Sequence, residues 1–238
     1  MKFIKKLLLS FLICLFLISS LIYLGGKNLY DKKISEIPLS TKIQSIKDNK
    51  NFVSIKDLPS DYLNAIVSVE DHRYFNHGPI DPIALLRALI SNIRQKEFKE
   101  GGSTLTQQTA KNLYFISEEN VINRKVAEII LSFELEKNYT KNDILEIYVN
   151  TIYFGDGYYG IKEACNGYFH KEPKDMNLYE STMLAGIPNA PSIYAPTKNF
   201  KLTKSRQKKV ISSMVDYNYL NNEQANQLYL QIDTATFK

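Results

Sequence analysis

A ten-residue stretch, VEDHRYFNHG at positions 69–78, holds the densest cluster of polar side chains in the sequence. It contains two carboxylates, Glu70 and Asp71, and two of the three histidines, His72 and His77. Carboxylates and imidazoles exchange protons with a reacting group when a protein holds them within hydrogen-bonding distance of it. The stretch therefore predicts a site of general acid–base chemistry.

Glu70 ends a predicted helix that begins at Ser60, a residue able to cap it. Ile66 and Val67 lie on the apolar face of this helix, and Glu70 falls one turn further along that face. Apolar surroundings and the neighbouring charge of Asp71 both favour the neutral carboxyl group. We therefore expect Glu70 to bind a proton more tightly than a solvated glutamate does, which suits a general base.

Two other interpretations of this stretch remain open. Its charges could be solvated at a helix end, or Glu70 could be paired with Arg73. Alternatively, His72 and His77 could bind a metal ion. They are five residues apart, off the i,i+4 spacing of helical ligands, and no cysteine is near. The metal interpretation is therefore the weaker one.

The N-terminal sequence predicts a membrane anchor. Positions 7–26, LLLSFLICLFLISSLIYLGG, contain no charge, and a helix of that length, at about 1.5 Å per residue, spans a hydrocarbon core of about 30 Å. Three lysines precede the run, which places residues 1–6 in the cytoplasm and the chain after Lys27 outside the cell. A cleaved signal peptide is the alternative, although no small-x-small cleavage site stands before Gly25.

Charge and composition narrow the classes of partner. The 238 residues carry a formal net charge of +5, spread along the chain. A mild, dispersed positive charge makes nucleic acid a poor partner and agrees with an anionic membrane surface or an anionic substrate. Of the two cysteines, Cys14 lies inside the apolar run, so a disulfide with Cys165 is not expected.

Between the anchor and the polar stretch, residues 27–56 are rich in lysine and predict a juxtamembrane connector, with the folded domain at 57–238. Within that domain, Asp81 can cap a helix with Pro82 at its first position. The helix is strongly apolar as far as Ile93. It is either an ordinary core helix or a helix that enters a membrane interface.

A second polar cluster follows the two glycines at 101–102. Ser103 can cap the next helix, and a helix N-terminus behind glycines suits phosphate binding. The GxxxxGK[ST] spacing of a nucleotide-binding loop is absent, so the alternative to an anion site is a solvated face. The polar residues on or beside one face of this helix are Thr104, Gln107, Gln108 and Lys111.

A third cluster is a pair of opposite charges on an apolar helix. Positions 121–137 predict a buried helix, yet it carries Arg124 and Glu128 at i,i+4, where two side chains meet. Burying both charges is costly. The two residues could simply pair with each other, or they could belong to a functional site.

Five segments carry these clusters in order along the chain: EDHRYFNHG, GGSTLTQQTAKN, RKVAEIILSFELE, ILEIYVNTIYFGDGYYGI and LAGIPNAPSIYAP. Together they resemble the five ordered motifs of glycosyltransferase family 51, the peptidoglycan glycosyltransferases, over about Lys56 to Phe237. The resemblance implies a mainly α-helical fold: a lysozyme-like helical lobe with a smaller membrane-associated jaw lobe, preceded here by one transmembrane helix. It favours the membrane interpretation of the helix at 81–93.

The resemblance also implies roles for individual residues. Glu70 matches the family's catalytic base, and Glu128 matches its second essential carboxylate. Lys111 and Arg124 match the residues that hold the diphosphate of the substrate. The further positions implied to bind substrate along the cleft are Asp71, Tyr74, His77, Ser103, Thr104, Gln107, Gln108 and Asn189.

The sequence departs from the family pattern in two places. Tyr74 and Phe75 reverse the usual Phe-Tyr order, and Gly78-Pro79 stands where Pro-Gly or x-Gly is commoner, so the departures concern the contacts of this loop and not the chemistry. A single SxxK match at 205–208 has no SDN or KTG partner. We therefore expect a monofunctional enzyme without a transpeptidase domain.

The implied reaction joins lipid II, a polyprenyl-diphosphate-linked disaccharide peptide, to the growing glycan chain through β-1,4 bonds, with inversion and with Glu70 as general base. Glu128 would orient Arg124 or hold a divalent cation, Mg²⁺ or Mn²⁺, and no other cofactor is expected. The implied location is the cell membrane, and partners beyond lipid II, the glycan and membrane lipids could include other cell-wall synthesis proteins. A lysozyme-like glycan-cleaving enzyme and an inactive membrane-anchored scaffold are the alternatives.

Overall fold

The computed structural model describes residues 2–95 and 101–237, which form helices joined by loops and short turns. Within these residues no strand is present, and Tyr153 and Tyr159 make one isolated antiparallel bridge. The mainly α-helical fold is confirmed. The α-helices are α1 (Lys2–Glu36), α2 (Leu39–Lys47), α3 (Ser60–Glu70), α4 (Pro82–Gln95), α5 (Leu105–Ala110), α6 (Val121–Asn138), α7 (Lys141–Thr151), α8 (Ile161–Phe169), α9 (Leu178–Gly186), α10 (Pro191–Tyr194), α11 (Phe200–Asp216) and α12 (Asn222–Thr234).

Short turns of other helical types connect some of these elements. A π-helical turn, Lys111–Phe115, continues α5 without a break. The 3₁₀ turns are Ile55–Asp57, Tyr74–Asn76, Pro173–Asp175 and Ile187–Asn189. The π turn places Lys111 one residue beyond α5, at the junction where the backbone widens.

Helix α1 is longer than the predicted span of residues 7–26, because it continues to Glu36 as one 35-residue helix. Within the described residues it alone is long and apolar enough to cross a membrane. Its C-terminal part packs against α6, where the Tyr30 hydroxyl donates to Glu134 Oε2 at 2.6 Å. Lys33 pairs at 2.8 Å with Glu118, which precedes α6. Helix α1 is therefore joined to the rest of the structure by side-chain contacts as well as by the chain.

Residues 27–56 are part of the folded structure, which differs from the expected connector. Residues 27–36 belong to α1, and α2 buries Leu39 and Ile43. Leu29 and Ile34 pack against the same apolar cluster. Ile34 follows Tyr30 by four residues on α1, and Ile43 follows Leu39 by four on α2, so each pair lies on one face of its helix. The many lysines of this segment concealed that pattern.

Two apolar clusters form the core, and α7 is shared between them. The larger cluster joins α3, α8, α9, α11 and α12, and the smaller joins the end of α1 with α2, the π turn and α6. Ile144 and Ile147 of α7 face the smaller cluster, whereas Leu145, Tyr148 and Val149 face the larger one. Helix α7 is thus a common wall that fixes the two halves of the domain relative to each other.

Helix α4 does not behave as a core helix. Asp81 caps it as predicted, since its Oδ1 accepts hydrogen bonds from the amides of Ile83 (2.9 Å) and Ala84 (3.1 Å). Its apolar side chains are nevertheless between 42 and 68% exposed, and they are Ile83, Leu85, Leu86, Leu89, Ile90 and Ile93. The core-helix interpretation is therefore wrong, and a row of large exposed aliphatic side chains marks a surface that binds apolar material.

Candidate active site

A cleft of about 830 Å³ lies between the end of α3, α5, α6 and α11. It is lined mainly by polar and charged side chains from all three polar clusters of the sequence. The predicted site residues that line it are Glu70, Asp71, Ser103, Gln107, Gln108, Lys111, Arg124, Glu128 and Asn189. The fold thus brings together residues that are as far as 119 positions apart in the chain, from Glu70 to Asn189.

Glu70 is held by one partner on each carboxylate oxygen. Arg206 Nη2 donates to Oε1 at 3.0 Å, and Gln108 Nε2 donates to Oε2 at 3.1 Å. The side chain is 8% exposed. Its cationic partner is not Arg73, which pairs instead with Asp81 at 3.1 Å, so that alternative interpretation was wrong.

The neighbouring carboxylate of Asp71 does not contact Glu70. Its Oδ2 accepts from the amide of Leu105 at 2.9 Å, and its Oδ1 lies 2.8 Å from His77 Nε2. The charged group that contacts Glu70 is the guanidinium of Arg206, and a charge-assisted hydrogen bond of this kind fixes the orientation of a carboxylate. Glu70 therefore lines the cleft with both carboxylate oxygens held in place.

Arg206 was not among the predicted site residues. Its Nε also donates to the Gly186 carbonyl at 3.3 Å, and its guanidinium lies 5.9 Å from the centroid of the Tyr194 ring. A helical pattern could have revealed it. Thr203, Gln207, Val210 and Met214 form the buried face of α11, and the residues at 206, 209, 213 and 217, which line the cleft, recur beside that face at the same spacing.

Glu128 is only 3% exposed and lies between two cations of its own helix. Arg124 Nε is 3.4 Å from Oε1, as the i,i+4 spacing predicted, and Lys125 Nζ is 3.0 Å from Oε2. Lys125, which was not predicted, also donates to Ser103 Oγ at 2.8 Å and to Gln107 Oε1 at 3.2 Å. One ammonium group therefore connects the start of α5 to the buried carboxylate of α6.

These contacts bear on the two roles left open for Glu128. Mg²⁺ and Mn²⁺ prefer several oxygen ligands, whereas Glu128 is a single carboxylate with a cation against each oxygen. The residues present do not fit a divalent cation at Glu128. They fit a carboxylate that orients Arg124 and Lys125.

The loop after Glu70 is fixed by a buried group of charged residues. Asp71, His77 and Asp81 each bring a possible ligand atom within 4.8 Å of the others, but Arg73 and backbone amides already bond the two carboxylates. His72 does not join them, because it stacks on Tyr217 at 4.1 Å between ring centroids. Hence the structure does not bring His72 and His77 together as a pair of metal ligands.

Three residues predicted to bind substrate are absent from the cleft wall. Tyr74 is fully buried and donates to the Lys141 carbonyl at 2.8 Å. The His77 side chain is 3% exposed and bonded to Asp71. Thr104 is the residue that caps α5, in place of Ser103: its Oγ1 accepts from the Gln107 amide at 3.2 Å. These side chains stabilise the loop and the helix that carry the site.

The cleft carries more positive than negative charge. Its carboxylates are Glu70, Asp71 and Glu128. Its cations are Arg87, Lys111, Arg124, Lys125, Arg206 and Lys209. Lys111 is exposed and makes no ion pair with any residue that the structure describes. Such a cleft attracts and binds an anionic ligand.

Burial also affects the histidine on this wall. Partial burial, together with the nearby charge of Arg87, lowers the pKa of His72 below its ordinary value. His72 is therefore neutral at neutral pH and leaves the positive charge of the cleft to the lysines and arginines. Taken together, the helical fold, a buried carboxylate held by a cation and a surplus of cations define a class of helical domain with a polar cleft that suits an anionic ligand.

The comparisons with known proteins specify that class. A family model described as Transglycosylase matches residues 35–215. The chain therefore belongs to the transglycosylase family.

The relatives are penicillin-binding proteins. Penicillin-binding protein 4 of Bacillus subtilis is 37% identical over 196 residues, which are 82% of this chain and 31% of the relative. Penicillin-binding protein 1A of Aquifex aeolicus is 36% identical over 210 residues, 83% of this chain and 29% of the relative. The chain thus spans less than a third of the length of these relatives. A crystal structure of penicillin-binding protein 1A from Haemophilus influenzae is 21% identical, with a TM-score of 0.47, over 78% of this chain and 18% of that chain.

Proposed function

We propose that this chain is a peptidoglycan glycosyltransferase that polymerises lipid II into β-1,4 glycan strands and releases polyprenyl diphosphate. One observation carries the proposal: the buried carboxylate of Glu70 lines the same cleft as the exposed ammonium group of Lys111, which pairs with no carboxylate among the residues described. Membership of the transglycosylase family supports the transfer of a glycosyl group. The identity of the substrate and the stereochemistry are parts of the proposal.

Glu70 is the general base in this scheme. It accepts the proton of the 4-hydroxyl group of the acceptor sugar as that oxygen attacks the anomeric carbon of the donor from the face opposite the diphosphate. The new C–O bond forms while the bond to the diphosphate oxygen breaks, which inverts the anomeric carbon. Gln108 and Arg206 hold the carboxylate in a fixed orientation for this transfer.

The cations stabilise the leaving group. A diphosphate leaves as an anion, so it needs positive charge more than it needs a proton. Lys111, which makes no ion pair within the described part of the chain, binds the diphosphate, and Arg124 is oriented toward the cleft by Glu128. Glu128 therefore acts through the cations on either side of it.

The acceptor in this reaction is also a lipid diphosphate and needs a second set of cations. Arg87 of α4 and Lys209 of α11 line the cleft and are not engaged by Glu70 or Glu128. We assign them to the acceptor. A glycan hydrolase would need neither set, because water attacks a finished glycan that carries no diphosphate at the reacting carbon.

The membrane location follows from two apolar surfaces. Helix α1 spans the bilayer with its N-terminal lysines in the cytoplasm, so the cleft lies outside, where lipid II is consumed. The exposed apolar face of α4 enters the outer leaflet beside it. Both contacts keep the cleft at the level of the lipid-linked diphosphates.

The proposal is tested by incubating the full-length protein in detergent with purified lipid II. We expect long strands that muramidase digests to β-1,4-linked disaccharide units, together with free polyprenyl diphosphate. Conversion of finished peptidoglycan to soluble fragments, without polymerisation of lipid II, would instead identify a glycan-cleaving enzyme.

A further inference from the structure

Tyr148, a tyrosine in the core, is separated from the proposed general base Glu70 by a single side chain, that of Gln108. Tyr148 of α7 is 0% exposed and belongs to the larger apolar cluster. Its hydroxyl donates to Gln108 Oε1 at 3.3 Å. Because Tyr148 is absent from the cleft wall, it cannot touch a substrate there.

Gln108 connects this hydroxyl to Glu70. The carboxylate of Glu70 only accepts hydrogen bonds, so the amide must turn its NH₂ group toward Oε2, which it contacts at 3.1 Å. That orientation directs the amide oxygen into the core, where it needs a donor. The phenol of Tyr148 is that donor.

The opposite orientation of the amide is unfavourable. It would place the carbonyl oxygen of Gln108 against an oxygen of Glu70, two acceptors without a proton between them. Burial raises the pKa of Tyr148 well above its ordinary value, and the negative charge of Glu70 acts in the same direction. The phenol therefore stays protonated and keeps its role as a donor.

Glu70 is thus held from three helices. Arg206 of α11 binds one oxygen, Gln108 of α5 binds the other, and Tyr148 of α7 fixes the amide of Gln108. Since α7 is the wall shared by both apolar clusters, it is a rigid support for this contact.

We propose that Tyr148 is a positioning residue for the general base, acting through Gln108. The proposal rests on the proposed function, because it assigns Tyr148 to the proton transfer that Glu70 performs. It predicts an effect on turnover and not on substrate binding.

The test is a double-mutant cycle on the full-length protein with Tyr148→Phe, Gln108→Met and the double variant. We expect Tyr148→Phe to lower kcat by roughly three- to tenfold, the loss of one neutral hydrogen bond, with KM for lipid II unchanged. In the Gln108→Met background the same change should have no further effect, because the amide through which it acts is gone.

Tyr168→Phe is the matched control. Its buried hydroxyl lies 2.8 Å from the Phe154 carbonyl and 3.1 Å from Asp156 Oδ2, and Tyr168 does not line the cleft. Tyr168→Phe should lower the thermal midpoint at least as much as Tyr148→Phe does while leaving kcat unchanged.

Two results would overturn the positioning role: a kcat for Tyr148→Phe equal to that of the control variant, or full additivity with Gln108→Met. If Tyr148→Phe folds poorly, the Gln108→Met variant alone tests the proposal. An unchanged kcat in that variant would show that the contacts from Tyr148 through Gln108 to Glu70 do not affect turnover. A wild-type protein that does not polymerise lipid II would overturn the proposed function itself, which the cycle distinguishes from failure of the Tyr148 assignment.

Discussion

Gly26 of α1 and Val126 of α6 lie so close that a Cβ atom at Gly26 would be 2.3 Å from Val126 Cβ. At the preceding residue, Gly25, a Cβ atom would be 2.6 Å from Asn123 Oδ1. A side chain at Gly26 would force the two helices apart, whereas a side chain at Gly25 would displace the end of the Asn123 side chain. The glycines at the end of the apolar run therefore allow α1 to dock on the helix that carries Arg124 and Glu128.

We predict that Gly26→Leu destabilises the domain, because the added side chain has no space beside Val126. The thermal midpoint of the full-length protein in detergent should fall by several degrees, as expected for overpacking that costs about 1 to 3 kcal/mol. Ser19→Leu adds comparable bulk at an exposed position of the same helix and should leave the midpoint unchanged. Equal midpoints for the two variants would show that α1 and α6 do not pack in this way.

The exposed face of α4 should bind membranes without help from the anchor. A protein of residues 27–238 retains Tyr30 and Lys33, and we expect it to fold with a reduced melting temperature and to float with anionic lipid vesicles. Leu86→Glu with Leu89→Glu should abolish flotation without unfolding, since both side chains are more than half exposed.

The control for this experiment adds two carboxylates elsewhere. Gln227→Glu with Leu230→Glu changes exposed positions on α12 and should leave flotation intact. If the protein of residues 27–238 stays in solution, or if the α4 variant unfolds, the membrane contact of α4 is wrong.

Local patterns were sufficient for much of the fold. The apolar stripe that ends at Glu70, the cap at Asp81 and the Arg124–Glu128 pair are all set by residues within one or two turns, so spacing alone predicts them. Arg206 lies 136 positions from Glu70, and only the folded chain brings them together. This is why the sequence did not reveal the cation that contacts Glu70.

The resemblance to family motifs also had a limit. A motif position can serve packing as well as substrate contact, and the sequence does not separate the two. Tyr74 and Thr104 illustrate this, because both lie inside motifs yet hold the loop and α5 in place. Tyr74 and Thr104 are both buried in the folded chain and do not line the cleft, so they support the site from behind its wall.

We predict that Lys111→Ala lowers the affinity of the cleft for a diphosphate. The fold should not change, because this side chain is exposed and has no ion-pair partner among the residues described. We expect binding of a phosphoglycolipid inhibitor that mimics the donor to weaken by roughly 10- to 100-fold, the effect of one charge-assisted contact. Isothermal titration calorimetry measures it directly. Lys174→Ala removes an exposed lysine that does not line the cleft and is the matched control. Equal affinities for the two variants would place Lys111 outside the binding site.

Asp81 should make the domain sensitive to acid. Although burial opposes it, hydrogen bonds from the Ala84 and Ile83 amides and the charge of Arg73 lower the pKa of Asp81 below its ordinary value. The folded state therefore favours the ionised form more than the unfolded chain does. This stabilisation is present at neutral pH and is lost as the pH falls below about 4 and through the folded-state pKa.

We predict that Asp81→Asn lowers the free energy of unfolding in urea by about 1 to 2 kcal/mol at pH 7, and by less at pH 3. Asp216→Asn changes an exposed aspartate of α11 and should have little effect at either pH. If the free energies of unfolding of the wild type and Asp81→Asn differ by the same amount at pH 7 and at pH 3, the charge of Asp81 contributes nothing to the stability of the cap.

Glu70 is proposed to accept the proton in glycan polymerisation. The most direct test of this role is the rate at which the Glu70→Gln variant polymerises lipid II. Glutamine has the same shape but cannot act as the base, so the rate should fall by about a hundred- to ten-thousand-fold while the thermal midpoint shows a folded protein. Glu223→Gln, at an exposed position of α12, should match the wild type. A folded Glu70→Gln protein that still makes long strands at close to the wild-type rate would show that Glu70 is not the general base.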